Sequence, residues 1–215
     1  MLVRRLTRIG GAVALALATS LTVTPVAGAH TTAAAPGTSS LAALLAKDGS
    51  GFDRNWNDFD IADNAVQAVL KAKPNSAVAV LADGKVPLTA FLPTDRAFRR
   101  LATDLTGHHY RRESTVFKTL AGRLGVDQVE AVLLYHVVPG ATITYRQARR
   151  ANGLVLKTAL AGSTIKVHVV HCPARVRLVD ADPDDLNPTI VRRNLNRGNV
   201  QIAHGISRVL RPVNL

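Results

Sequence analysis

Apolar residues recur along this chain with two periods, and each switch between them marks an element. Residues 88–92 form a short, mostly apolar run of strand formers. Pro93 closes it by holding Leu92 extended and removing a ladder N–H. Thr94 then stands at a helix N-cap position, with Asp95 in the first turn, where the positive end of a helix favours a carboxylate. Ala97, Phe98, Leu101 and Ala102 follow at helical spacing. The pattern predicts a strand that runs directly into a capped helix, one half filling a sheet and the other packing over it.

The same reading extends in both directions. Ser39 or Ser40 caps a short helix over residues 41–47, and Asp60 caps a longer one whose inner face is Ile61, Ala65, Val66, Val69 and Leu70. Residues 78–81 and 86–92 flank Asp83-Gly84, which predicts a hairpin leading into the central strand. A helical pattern covers residues 115–124. Asp127 caps the next helix, in which Val129, Val132, Leu133 and His136 share a face, so His136 reads as a buried, hydrogen-bonded core residue before it reads as a ligand or catalyst. Residues 141–145 read as a strand. Ile165, Val167 and Val169 then alternate with Lys166 and His168, and Val176 and Leu178 with Arg175 and Arg177, which predicts two strands whose pairing presents a basic outer face. Val200 and Ile202 alternate in a last strand before Gly205, which permits a bulge or bend.

Three segments carry a resemblance to a known family. Thr89-Ala90-Phe91-Leu92-Pro93-Thr94-Asp95-Arg96-Ala97-Phe98 resembles the first signature box of the fasciclin domain. Leu133-Leu134-Tyr135-His136-Val137-Val138-Pro139-Gly140 resembles that family's tyrosine-histidine segment, and residues 198–212 resemble its closing box. The resemblance implies an α+β fold, with short strands in a β-wedge or sandwich packed with several helices. It also implies that the closing strands pair near the first box, that the protein is a non-catalytic adhesion module, and that Tyr135 and His136 are candidates for a partner surface. The chain departs from multi-domain adhesion members in having one domain.

The N-terminus changes the picture of where such a domain works. Arg4, Arg5 and Arg8 precede an apolar stretch rich in small residues, and Ala27-Gly28-Ala29 forms a cleavage pattern, so residues 1–29 read as a signal peptide. Residues 30–40 read as a flexible linker and 41–215 as a single domain, secreted or held at the cell envelope and peripheral to a membrane at most. The only cysteine, Cys172, rules out an internal disulfide and reads as a buried thiol. Lys and Arg number 27 against 15 Asp and Glu, a formal charge of +12. Partners consistent with this charge are an anionic envelope or matrix polysaccharide or a surface protein. No nucleic-acid-reading motif accompanies it. Solvated surface charge is the plainer reading of these scattered basic pairs.

Candidate chemistry is sparse. The stretch from Gly51 to Asp60 holds the only tryptophan, Trp56, with Asp58 and Asp60 beside it. A loop whose aromatics dock onto the core is the preferred reading; a carbohydrate platform, or a secreted carbohydrate-active enzyme using the Trp56, Asp58 and Asp60 loop, is the alternative. His168, His171 and Cys172 point to opposite sides of a regular strand and do not converge as zinc ligands. Asp180, Asp182 and Asp184 open like a calcium loop that then fails, because Asp185 stands where glycine is needed and Val191 where a bidentate glutamate is needed. Solvated acids before a helix near Asn187 are expected there instead. No cofactor, metal or catalytic group is expected; the binding candidates are Tyr135, His136 and Trp56, and Thr94 and Asp95 are the structural motif.

Overall fold

The computed structural model of the chain describes residues 35–49 and 51–214. The signal segment expected over residues 1–29 lies outside them. Two sheets and a group of helices share the described chain. The first sheet has the order β2-β1-β7-β6, built from β1 (Leu88–Pro93), β2 (Val137–Pro139), β6 (Ile190–Leu195) and β7 (Gln201–Ile206). The second is an antiparallel meander of β3 (Val155–Lys157), β4 (Thr164–His171) and β5 (Ala174–Val179). β1 and β7 run parallel, with Phe91 opposite His204, and every residue of both strands is buried. This is the burial expected of central strands covered on both faces.

The helices are α1 (Leu41–Leu45), α2 (Asp60–Ala72), α3 (Asp95–Thr106), α4 (Glu113–Tyr135) and α5 (Tyr145–Ala148). α2 buries Ile61, Ala65, Val66 and Val69, and α3 buries Ala97, Phe98, Leu101 and Ala102, the faces predicted by their spacing. α4 is one run broken at Gly125, whose φ of 69° lies in the left-handed region that glycine enters without a Cβ penalty. Asp127 lies just past the break and pairs with Lys73. The two predicted helical segments are thus the two halves of α4.

Several local expectations are corrected. Residues 77–82 form a 3-10 helix capped by Ser76 instead of one arm of a hairpin. β1 already has β2 on one edge and β7 on the other, so no edge is free, and Val78 and Leu81, three apart, turn together into the core. The strand expected over 141–145 is replaced by a turn into α5, because Thr144 and Gln147 form a reciprocal capping box. No helix begins near Asn187; β6 starts at Ile190. Phe59, not Asp60, holds the cap position of α2, and the capping oxygens come from Asp95 across the loop. Thr94 holds the α3 cap position without a side-chain capping bond.

The closing segment ties the ends of the domain together. Gln201 is fully buried, accepts from the Leu41 amide at 2.8 Å, and donates to the Val80 and Asp83 carbonyls. Gly37 exchanges backbone bonds with Gly198 and Val200, and the Ser39 amide donates to Asn199 Oδ1. Residues 37–40, placed in the expected linker, are therefore fastened to the domain. Gly205 lets β6 approach β7 closely, since a Cβ there would stand 2.8 Å from Arg192 Cβ.

Cys172 is exposed in the turn between β4 and β5 and is not the buried thiol expected of a free cysteine. Its reach to solvent predicts that one thiol reacts with a disulfide reagent in the native protein about as fast as in denatured protein. Protection of many-fold in the native state would contradict this placement.

Candidate functional site

The tyrosine-histidine segment closes α4 and enters β2. Tyr135 is fully buried and donates its hydroxyl to the Thr164 carbonyl at 2.9 Å, and burial pushes its pKa up to about 12. His136 is buried too. Its Nε2 accepts from the Leu210 amide at 2.9 Å, so Nδ1 carries the proton and donates to the Val132 carbonyl at 2.7 Å. Burial lowers its pKa to about 4, so the ring is neutral at physiological pH. Both residues fasten α4 to the rest of the domain, and neither offers a surface to a partner. An apolar cavity of about 100 Å³ beside His136 is lined by side chains such as Val66, Leu92, Phe98 and Leu120, and it holds no other titratable group.

The loop before α2 is likewise turned inward. Trp56 is half-buried and packs, as Phe52, Phe59 and Phe117 do, against the core cluster that includes Ile61, Phe98 and Leu101, with the Arg99 guanidinium 4.3 Å from its ring centroid, and its carbonyl accepts from the Arg96 amide. One face of the indole is thereby occupied by a cation, which a sugar would have to displace. Asp58 and Asp60 are each 4% exposed, so the acid pair of the glycosidase alternative is not displayed to a polymer. Asp58 instead lies against Asp95 and Glu113, and carboxylate oxygens of the three residues all fall within 4.8 Å of one another. Burial, and then the neighbouring Asp58, push Asp95 up to about 9, and burial pushes Glu113 up to about 7. This cluster spans residues 58–113 and has no sequence signature; only the N-terminal positions of Asp95 and Glu113 in their helices hint at it.

The acids at 180–185 are not a solvated turn. Arg211, 8% exposed at its side chain, reaches Asp182 at 3.3 Å, Asp185 at 3.2 Å and Asp104 at 2.9 Å, and Arg208 joins Asp185 and Asp104. The Asp182 side chain is wholly buried.

What the structure does display is the outer face of the second sheet. Ile165, Val167 and Val169 of β4, with Leu156, Val176 and Leu178, point into the core. Lys157, Lys166, His168, Arg175 and Arg177 therefore share the opposite face, with His168 across from Arg177 and Lys166 across from both Val155 and Val179. No acid lies in β3, β4 or β5, and among the described residues none of these four Lys and Arg side chains forms an ion pair. This is the basic face expected from the alternation. His171 and Cys172 are exposed at its tip.

Helices packed on a mixed sheet whose parallel centre joins the first box to the closing box define an α+β domain. A family model for the fasciclin domain matches residues 62–212, and the chain belongs to that family. The fold is also similar to a solved FAS1 domain pair from the insect cell adhesion molecule fasciclin I. The TM-score is 0.55 at 12% identity, over 81% of this chain and 51% of that one. The chain thus spans about half the length of that structure, and the likeness is one of fold. No curated protein matches the sequence. Fasciclin domains are generally extracellular, non-catalytic adhesion or binding modules. Among the described residues, no helix is long and apolar enough to cross a membrane.

Proposed function

We propose that this is an exported, non-catalytic binding module that holds acidic polymers of the cell envelope or matrix on the outer face of β3, β4 and β5. The observation that carries the reading is the presence of Lys157, Lys166, Arg175 and Arg177 on one exposed sheet face without an acid among its strands. Alternate residues along a strand stand about 7 Å apart and neighbouring strands about 5 Å apart. Such an array suits a polymer with a charge on every repeat better than a single small anion. Removal of residues 1–29, which carry three arginines and no acid, leaves a formal charge of +9, so long-range attraction adds to the local contacts.

The test is co-sedimentation of the protein with an acidic polysaccharide such as polyuronate at low and moderate salt. Wild-type protein is expected to bind and to weaken as salt shortens the screening length to about 8 Å. Lys166→Glu combined with Arg177→Glu is expected to reduce binding at least tenfold, while Arg149→Glu combined with Arg150→Glu, an equal charge change outside this sheet, reduces it far less. Equal losses in the two double variants would mean that net charge alone retains the protein and that the sheet face is no site.

A further inference from the structure

The strongest unexplained feature is the group of carboxylates beneath the Trp56 loop. Asp53-Arg54-Asn55-Trp56-Asn57-Asp58-Phe59-Asp60 places oxygen-bearing side chains at 53, 55, 57, 58 and 60. Asn55 Oδ1 accepts from the Asn57 amide and Asp53 Oδ1 from the Asn55 amide, so the loop is folded by its own side chains. It ends against the first residues of three helices: Asp60 of α2, Asp95 of α3 and Glu113 of α4. Oxygens of Asp58, Asp95 and Glu113 all lie within 4.8 Å of one another, as do those of Asp53, Asp58 and Asp60. Asp58 belongs to both groups.

Asp95 spends both oxygens on the Asp60 and Ile61 amides, and Glu113 Oε2 accepts from the Asp53 amide. Left over are Glu113 Oε1 and both oxygens of Asp58, three buried carboxylate oxygens that no amide, hydroxyl or basic side chain reaches; the side-chain partner of Asp58 is the Asp95 carboxyl, another acid. Asp58 is 4% exposed and Glu113 is fully buried. Among the described residues, no Lys, Arg or His forms an ion pair with Asp58, Asp95 or Glu113. Each helix start supplies roughly half a positive charge, and that of α2 is already engaged by Asp95. Buried carboxylates are ordinarily paired or bound to a metal.

We propose that Asp58, with Glu113, Asp95, Asp53 and Asp60 around it, binds a calcium ion. The donor set is oxygen alone, with neither thiolate nor imidazole, which selects a hard cation over zinc or copper. Calcium sits about 2.4 Å from six to eight oxygens, so ligands on opposite sides of it stand about 4.8 Å apart, and oxygens within that span fit one coordination sphere. Magnesium requires about 2.1 Å and keeps several waters, for which a site closed over Asp58 and Glu113 has little room. The ion fastens the loop to the starts of α2, α3 and α4 and satisfies the three orphan oxygens. This site lies in a different part of the fold from the basic sheet face and does not depend on the polymer reading.

The lone tryptophan makes the test direct, because Trp56 is two residues from Asp58 and sensitises luminescence of terbium, a calcium stand-in with the same preference for oxygen. Wild-type protein is expected to give terbium emission that calcium displaces and magnesium does not, and to melt at a higher temperature in calcium than in chelator. Asp58→Asn and Glu113→Gln are each expected to weaken calcium binding at least tenfold. Should Asp58→Asn not fold, Glu113→Gln carries the comparison, and the wild-type titration stands by itself. Absence of both responses through about 10 mM calcium, tenfold above the dissociation constants of weak extracellular calcium modules, overturns the proposal and leaves carboxylates that share protons. Responses that persist unchanged in both variants overturn it as well, since the ion then binds elsewhere.

Discussion

Arg211→Met is expected to destabilise the domain by about 3–5 kcal/mol, read as a fall in the urea midpoint without a change in slope. The Arg211 guanidinium reaches three carboxylates, of which Asp182 has no exposed side-chain area. Methionine fills much the same volume and keeps the backbone amide that donates to Asp180 Oδ2 at 2.9 Å, so the loss isolates the charge. What remains is Asp182 with its charge buried and its partner gone, the costly half of a broken ion pair. Arg208 bonds the same Asp104 and Asp185 from a more exposed position, and Arg208→Met is expected to cost about 1 kcal/mol or less. Similar small losses for both variants would mean that water reaches Asp182 and that the network is a surface one.

That network also shows where the sequence stops being readable. The elements with an uninterrupted local pattern were legible: β1 running into α3, the apolar face of α2, and the alternation of β4 and β5 with its basic side outward. In each, period, cap and burial agree within ten or so residues. Residues 77–82 were not, because an apolar run that short fits a strand or a 3-10 turn equally well, and occupancy of both β1 edges decides between them. α5 was missed because Thr142-Ile143-Thr144 reads locally as strand, whereas the capping box of Thr144 and Gln147 starts a helix there. Cys172, expected to be buried as free cysteines usually are, falls at the exposed hairpin tip. The acids from Asp180 to Asp185 looked like a solvated turn because their partners stand elsewhere, Asp104 far back in the chain and Arg211 at its end. For the same reason Asp58, Asp95 and Glu113 could not be joined in advance: three separate helix starts bring them together, and no spacing rule links them. The candidate site divides likewise. The basic face is a matter of strand alternation and was visible; helical spacing announced the inward turn of His136 and the aromatic content of its loop that of Trp56, whereas the burial of Tyr135 follows from long-range packing.

His136→Ala is expected to cost about 3 kcal/mol at pH 7.5, since it strands the Leu210 amide and the Val132 carbonyl in the core and opens a small cavity. The pH dependence distinguishes this structural role from that of an exposed binding residue. Burial lowers the folded-state pKa of His136 from 6.5 to about 4, so the native protein holds the neutral ring while the unfolded chain takes up a proton first. The stability supplied by His136 is therefore fully present above about pH 6.5 and is lost as pH falls towards 4, a change of about 3 kcal/mol. Asp95 and Glu113 act in the opposite sense, because raised carboxyl pKa values favour the folded state as pH falls. They are common to both proteins, and subtracting the variant from wild type removes them. The difference in unfolding free energy between wild type and His136→Ala should thus shrink from about 3 kcal/mol at pH 7.5 to near zero at pH 4. A difference that holds constant over that range would mean that His136 titrates alike in both states and is reached by solvent, and the segment would then return as a candidate partner surface.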